Sequence, residues 1–286
     1  NGDDSFVFEV SDGELTDTAT VTLIITPVND APIFDFIDNV ILEEEGSSTI
    51  ILSATDIDGD DLSYSISDGD NIISNIINNN LILSAPANFN GSEVFTITVS
   101  DGDLFDEQIL IVMVSEINDA PVATPGLSGS TNEDQSVVVN LSGSDIDGDY
   151  LIFSLDTDAL NGFVEINGTL ATYTPNENFN GFDSFVFMVS DGFLSSMALV
   201  NLEVSPVNDA PVLATVSDVS FDEDQSGSLS VSGSDIDGDD LSYSISGGTD
   251  ITASLTGSDI SFSAPANFNG SEVFTITVSD GDLFDE

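Results

Sequence analysis

The sequence predicts an all-β protein, a tandem array of seven-stranded β-sandwich domains forming an extended rod. Three observations predict it: apolar residues alternate with polar ones at a period of two, Gly, Asn, Asp and Ser turns separate short apolar runs, and the whole pattern recurs every 89 to 90 residues. Phe95, Ile97 and Val99 alternate with polar neighbours, as do Phe274, Ile276 and Val278; Phe185 and Phe187 follow suit, with a slight slur in phase at Met188 to Val189. An S-D-G tripeptide follows each run, and Leu110, Val112 and Val114 resume the alternation, so the pair reads as a hairpin of half-buried strands. A helical reading is poor, because Thr, Ser, Val, Ile, Asn and Gly dominate and no long stretch has a 3.6-residue period.

The repeat is marked by N-D-A-P at Asn29, Asn118 and Asn208, by D-I-D-G-D at Asp56, Asp145 and Asp235, and by S-D-G at Ser11, Ser100, Ser190 and Ser279. Fixed self-similarity of this length marks an array of domain-sized units. The expected division is 1–28 as the last strands of a preceding repeat, full repeats at 29–117 and 118–207, and 208–286 as a repeat without its closing strand. In phase, Asn1 matches Asn90, Asn180 and Asn269, and Glu286 matches Glu107, so targeting signals and any anchor are expected outside these residues. Ser84 to Glu107 and Ser263 to Glu286 are identical residue for residue, which points to duplication of a two-domain unit.

Charge narrows the function. There is no Lys, Arg or His against 53 Asp and Glu. Nucleic acid and anionic membrane surfaces are recognised through Lys and Arg, so neither is an expected partner, and no apolar run is long enough for membrane insertion. Ion pairs within the chain are impossible, so carboxylate repulsion must be met by salt or bound cations. With no His or Cys, soft-ligand metals lack donors, while all-oxygen sets suit hard cations, calcium ahead of magnesium. The 40% apolar content and 19 Phe supply core for several domains and argue against disorder. Disulfide and Lys–Asn crosslinks are excluded by composition, which leaves a metal as the remaining staple.

Acidic clusters recur in every repeat: a Glu near the first strand (Glu44 or Glu45, Glu133, Glu223), the D-I-D-G-D loop, the Asp of S-D-G, and the Asn-Asp of N-D-A-P. Two Asp at i, i+2 beside a Gly can turn their carboxylates toward one point. Asp and Gly also favour tight turns for backbone reasons, so an isolated D-x-D-G-D is more often only a turn. The N-x-S/T strings at Asn90, Asn140, Asn167 and Asn269 are read as turns too.

The ordered set of acidic pair, N-F-N-G, S-D-G and V-N-D-A-P resembles bacterial cadherin-like repeats of large secreted surface adhesins, over essentially the whole sequence. The resemblance implies Greek-key, cadherin/Ig-like sandwiches with calcium between successive domains. It implies three ligand sets: Asn29, Asp30, Asp56, Asp58 and Asp101; Glu44, Asn118, Asp119, Asp145, Asp147 and Asp191; and Glu133, Asn208, Asp209, Asp235, Asp237 and Asp280. The sequence departs from the animal pattern before the Asn-Asp pair, where Glu116 keeps a carboxylate and Pro27 and Pro206 do not. Asn88, Asn90, Asn178 and Asn180 stand near a missing acidic motif.

Catalysis is not expected. Hydroxyl nucleophiles lack a His or Lys base, and acids that recur with the domain period behave as structural ligands rather than as one active site. A calcium-dependent carbohydrate- or protein-binding module needs an exposed aromatic platform; there is no Trp, and most Phe fall on the inward strand phase. The expected function is therefore a calcium-rigidified stalk of a cell-surface adhesin, extracellular and acting in attachment. Its expected partners are calcium and further repeats of the same chain. Identical chains assembling into a filament or hook-like appendage, and the calcium-dependent carbohydrate- or protein-binding module, are the alternatives.

Overall fold

A computed structural model describes residues 2–286; Asn1, and with it the phase match to Asn90, lies outside the described residues. Every regular element among them is a β-strand. No helix among the described residues is long and apolar enough to cross a membrane. The chain divides into two compact units, Asn1–Asp119 and Ala120–Glu286.

The first unit opens with a hairpin in which Gly2–Ser11 pairs antiparallel with Thr16–Ile25. A sandwich follows. One sheet runs in the order Val40–Glu43, Phe105–Ser115, Gly91–Ser100, Ser63–Ile66, and the other in the order Ser47–Ile51, Asn80–Ser84, Ile73–Ile77. Val40–Glu43 is parallel to its neighbour, the other pairs are antiparallel, and Ile33–Phe34 forms a short pair with Ala54–Thr55. The alternation seen in the sequence points Phe95, Ile97, Leu110 and Val112 inward, where they are wholly buried with Leu81 and Leu83 of the facing sheet. Each such side chain stabilises the fold by about 1.5–3 kcal/mol.

The S-D-G turn is built by its side chains. Ser100 Oγ donates to Leu104 O at 2.9 Å and accepts from Gly102 N at 3.0 Å, and Asp101 Oδ1 accepts from Asp103 N and Leu104 N at 2.7 Å each. Gly102, at φ 106°, supplies a conformation that side chains rarely adopt. A second device holds the loop before Ile73–Ile77: the Glu93 carboxylate accepts N–H groups of Asp70, Asn71 and Ile72. Gly69 is required there, because a Cβ would meet the backbone oxygen of Ile72 at 2.7 Å as well as Glu93 Oε2 at 2.6 Å.

In the second unit, the sandwich of the middle repeat has sheets ordered Leu127–Asn132, Ser195–Ser205, Gly181–Ser190, Ile152–Thr157 and Val137–Asn140, Leu170–Pro175, Gly162–Asn167. Tyr173, Phe185, Phe187, Val189 and Val200 form its centre. The slur expected at Met188 is absent: the alternation Phe185, Phe187, Val189 is unbroken, and Met188 faces outward opposite Met197.

The last sandwich pairs Ser226–Ser230, Asp259–Ser263 and Thr252–Thr256 in one sheet and Ser242–Gly247, Phe274–Ser279 and Phe284–Asp285 in the other. Its core is smaller, centred on Val231, Ile260 and Phe262. Residues 214–225, the counterpart of the first sheet-edge strand of the other repeats, form no strand.

Three aromatic residues of the middle repeat stand outside the inward strand phase. Tyr150 and Phe193 of the middle repeat are 84% and 87% exposed, and Phe182 stands out as well. Asp occupies the counterparts of the first two in both other repeats: Asp61 and Asp240, Asp103 and Asp282.

Candidate metal centres

The second unit contains one complete junction between two sandwiches. Parallel pairing sets Asn132 beside Ser205, so Glu133, the next residue, meets the chain as it leaves strand Ser195–Ser205. Glu133 N donates to Ser205 O at 2.9 Å, and the carboxylate is 3% exposed. Its Oε1 accepts the N–H of Val207, and its Oε2 accepts from Asn180 Nδ2 at 3.4 Å.

The following sandwich reaches the same linker through two loops. In D-I-D-G-D, Asp235 Oδ1 accepts the N–H groups of Asp237, Gly238 and Asp239 at 2.9, 3.0 and 3.3 Å, which closes the loop. Asp237 Oδ2 accepts Asp209 N at 2.8 Å. In the S-D-G loop, Asp280 Oδ1 holds Asp282 N and Leu283 N, and its Oδ2 accepts Asn208 Nδ2 at 2.9 Å. The structure thus gathers Glu133, Asn208, Asp209, Asp235, Asp237 and Asp280 around one linker. Carboxylate oxygens of Glu133, Asp209 and Asp237 lie within 4.8 Å of one another.

The cluster concentrates negative charge with no cationic side chain to offset it. Asp209 Oδ2 and Asp235 Oδ2 are buried with no hydrogen-bond partner. A buried, unpartnered anionic oxygen is costly unless a cation meets it. Burial first, then the carboxylates of Asp237, Asp134, Glu133 and Asp235, push Asp209 above the usual carboxylate range. Burial and the neighbouring Asp235 and Asp237 do the same to Asp239. Asp280 is held low by the Asn208 amide and the Leu283 N–H.

The start of the first unit repeats the downstream half of this geometry. Asn29 Nδ2 donates to Asp101 Oδ2 and Asp30 N to Asp58 Oδ2, each at 2.9 Å. Asp56 Oδ1 accepts Asp58 N and Gly59 N at 2.8 and 3.0 Å, while its Oδ2 is buried and unpartnered. Asp56, Asp58 and Asp60 converge within 4.8 Å.

The middle ligand set is divided between the two units. In the first, Glu44 is 5% exposed, its N donates to Ser115 O, its carboxylate accepts the N–H of Ile117, and Asn118 Nδ2 donates to Asp119 O. Glu45 is instead an exposed turn residue at φ 59°. In the second, Asp145 Oδ1 accepts Asp147 N while its Oδ2 is buried and unpartnered, Asp145, Asp147 and Asp149 converge within 4.8 Å, and Asp191 Oδ1 accepts Phe193 N and Leu194 N. Glu223 lies exposed in the last repeat.

Residues that the sequence reading passed over are Asp60 and Asp149, the final Asp of D-I-D-G-D in the first two copies. The signal was present in the motif itself. An i+4 residue returns to the loop mouth when the first Asp accepts its N–H, as Asp56 does from Asp60 and Asp145 from Asp149, each at 3.5 Å, a geometry that i, i+2 counting does not consider.

A family described as "Bacterial Ig domain" matches three stretches, residues 29–112, 118–203 and 208–284. The chain is similar to Chitinase A of Pseudoalteromonas piscicida, at 31% identity over 65% of this chain and 23% of that protein. It is also similar to integrin beta-like protein A of Dictyostelium discoideum, at 26% identity over 82% of this chain and 15% of that protein. It therefore spans less than a quarter of either curated relative. Among solved structures, the extracellular cadherin domains 1–5 of protocadherin gamma B2 share the fold, with a TM-score of 0.53 at 15% identity over 100% of this chain and 64% of that one. The protocadherin gamma B4 extracellular domain does so with a TM-score of 0.51 at 16% identity, over 99% and 52%.

Proposed function

This chain belongs to the bacterial Ig domain family, and from that premise we propose that it is a calcium-stiffened stalk segment of a bacterial surface adhesin, acting in attachment outside the cell. One observation carries the reading. A linker between two sandwiches is gripped from both sides by carboxylates, and two of the oxygens there, Asp209 Oδ2 and Asp235 Oδ2, are buried without a partner. No side chain of the 286-residue protein can supply a positive charge.

The donor set is all oxygen, which suits calcium better than zinc, and its irregular, carboxylate-rich layout suits calcium better than magnesium. Glu133, Asp209, Asp235 and Asp237 would hold the ion, and Asn208 and Asp280 would fix the linker beside it. Ligands from two sandwiches around one ion turn a hinge into a fixed joint. The sequence repeats the same ligand types around Asn118, with Glu44, and all but the Glu around Asn29. The hydrolase named among the relatives is an activity of that protein, and no catalytic role is assigned here.

Solution scattering of the full chain with calcium and with a chelator tests the proposal. The maximum dimension is expected to shrink on chelation as linkers flex, while circular dichroism retains its β signal because each sandwich has its own core. An unchanged maximum dimension would refute it.

A second reading, a binding module, draws on Tyr150 and Phe193. Ile152 pairs with Ser190, so the topology brings these two exposed aromatics to the same end of neighbouring strands. Replacing both with Asp, as in the other repeats, leaves the fold intact and abolishes retention on a carbohydrate or protein target if that reading holds. Equal retention refutes it.

A further inference from the structure

We infer that Asn180 is a self-modification site, at which loss of the side-chain amide adds a carboxylate to the junction and strengthens its hold on calcium. The inference rests on the calcium reading of that junction. Three observations support it.

First, Asn180 is followed by Gly181, and an Asn-Gly pair is the dipeptide in which the next amide nitrogen most easily reaches the side-chain carbonyl, because glycine has no side chain to block the approach. Gly181 stays open in the fold: a Cβ there would meet only the Phe179 ring, at 3.8 Å. Second, Asn180 is exposed and lies just before strand Gly181–Ser190 rather than within it, so water reaches it. Third, its Nδ2 stands 3.4 Å from Oε2 of the buried Glu133, whose carboxylate belongs to the cluster with Asp209 and Asp237.

The chemistry needs only water. The Gly181 nitrogen bonds to Asn180 Cγ, the Cγ–Nδ2 bond breaks, and ammonia leaves carrying the amide proton. One water then opens the resulting five-membered imide. Opening at one carbonyl gives an aspartate in an ordinary chain; opening at the other gives an isoaspartyl linkage; both leave a carboxylate and release a proton.

The consequence follows from charge. The neutral amide donates a hydrogen bond to Glu133 and so stabilises the junction without an ion. A carboxylate in its place repels Glu133 when no cation is bound and contributes one more anionic oxygen when one is. Modification therefore makes the joint more dependent on calcium and more tightly bound to it. Asn90 and Asn269 occupy the same N-F-N-G position in the flanking repeats. Asn167 precedes Gly168 in a hairpin turn between Gly162–Asn167 and Leu170–Pro175, where conversion adds charge away from the cluster.

The test uses the full chain. Calcium titrations compare the parent with Asn180→Asp, Asn167→Asp and Glu133→Gln, and peptide mapping by mass spectrometry follows conversion at Asn180 in the parent during storage at mildly alkaline pH. We expect conversion at Asn180, roughly tenfold tighter calcium binding in Asn180→Asp, the scale on which ligand charge tunes oxygen cages, parental binding in Asn167→Asp, and a lower melting temperature of Asn180→Asp in chelator. If Glu133→Gln weakens binding while Asn180→Asp leaves it unchanged, the inference fails and the junction reading stands. If Glu133→Gln binds as the parent does, the junction reading itself fails. Stored protein that keeps its Asn180 amide overturns the modification outright.

Discussion

The backbone N–H of Asp209 donates to Oδ2 of Asp237 at 2.8 Å, so the linker is tied to the D-I-D-G-D loop of the sandwich it leads into before any ion is considered. The same tie joins Asp30 to Asp58.

Asp237→Asn separates ligand from turn. Asn keeps an oxygen to accept the Asp209 N–H and keeps the turn preference, but it removes one charge from the cluster. Calorimetric titration is expected to show calcium binding at this junction weakened roughly tenfold or more, with the Asp56, Asp58, Asp60 cluster of the first unit unaffected. Unchanged affinity and stoichiometry would return the loop to the status of an ordinary turn.

Acid sensitivity is expected to reside partly in two loop-holding carboxylates. Glu272 is held below its usual 4.5 by the N–H groups of Asp250, Thr249 and Ile251. Burial pushes Glu93 upward, but the Asn71 side chain and the N–H groups of Asn71, Ile72 and Asp70 outweigh it and leave it below 4.5. A carboxylate lowered in the folded state contributes stability that is complete above its unfolded value and is lost as pH falls through the folded one. Glu93→Gln with Glu272→Gln should therefore flatten the decline of melting temperature below pH 4.5. A parental slope would mean these contacts make no contribution.

Salt should substitute in part for calcium. Repulsion among the 53 acidic side chains reaches over about 10 Å in 0.1 M salt and about 3 Å in 1 M. The chelated protein is expected to melt at a higher temperature in molar sodium chloride than in dilute buffer. Equal melting temperatures would show that repulsion has little hold on the fold.

Tyr173 tests the core of the middle repeat. It is wholly buried, and its hydroxyl lies 3.1 Å from Asp183 Oδ2, which also accepts Asn161 N. Tyr173→Phe removes one hydrogen bond to a charged acceptor and should cost about 1.5–3 kcal/mol in urea unfolding. Tyr173→Ala adds a cavity and should cost about 3–5 kcal/mol.

The strand pattern was legible because burial in a sandwich enforces a period of two: Phe95, Ile97 and Val99 declare their face without help from tertiary structure. The acidic clusters were legible too, in the recurring D-I-D-G-D, S-D-G and N-D-A-P strings. Less legible was anything decided by contacts distant in sequence. Glu44 and Glu45 are equivalent as letters, and only the pairing of Val40–Glu43 with Phe105–Ser115 turns the first toward the linker. Phe193 and Tyr150 lie exposed because turns, which have no alternating face, place them. Identity, by contrast, is plain in the letters: Gly91–Ser100 and residues 270–279 read the same, GSEVFTITVS.

That identity has a kinetic meaning. Two segments with the same sequence accept the same neighbouring strand, so Phe105–Ser115 is as well matched to Phe274–Ser279 as to its own partner, and exchange between them would join distant parts of the chain in a misassembled product. Repeat proteins are prone to this error while folding. The middle repeat, with Met197, Asn201 and Glu203 where the first has Glu107, Ile111 and Met113, stands between the interchangeable copies. As synthesis proceeds, a newly made strand finds its own sheet complete before the competing edge emerges, so sequence divergence here protects the order of assembly.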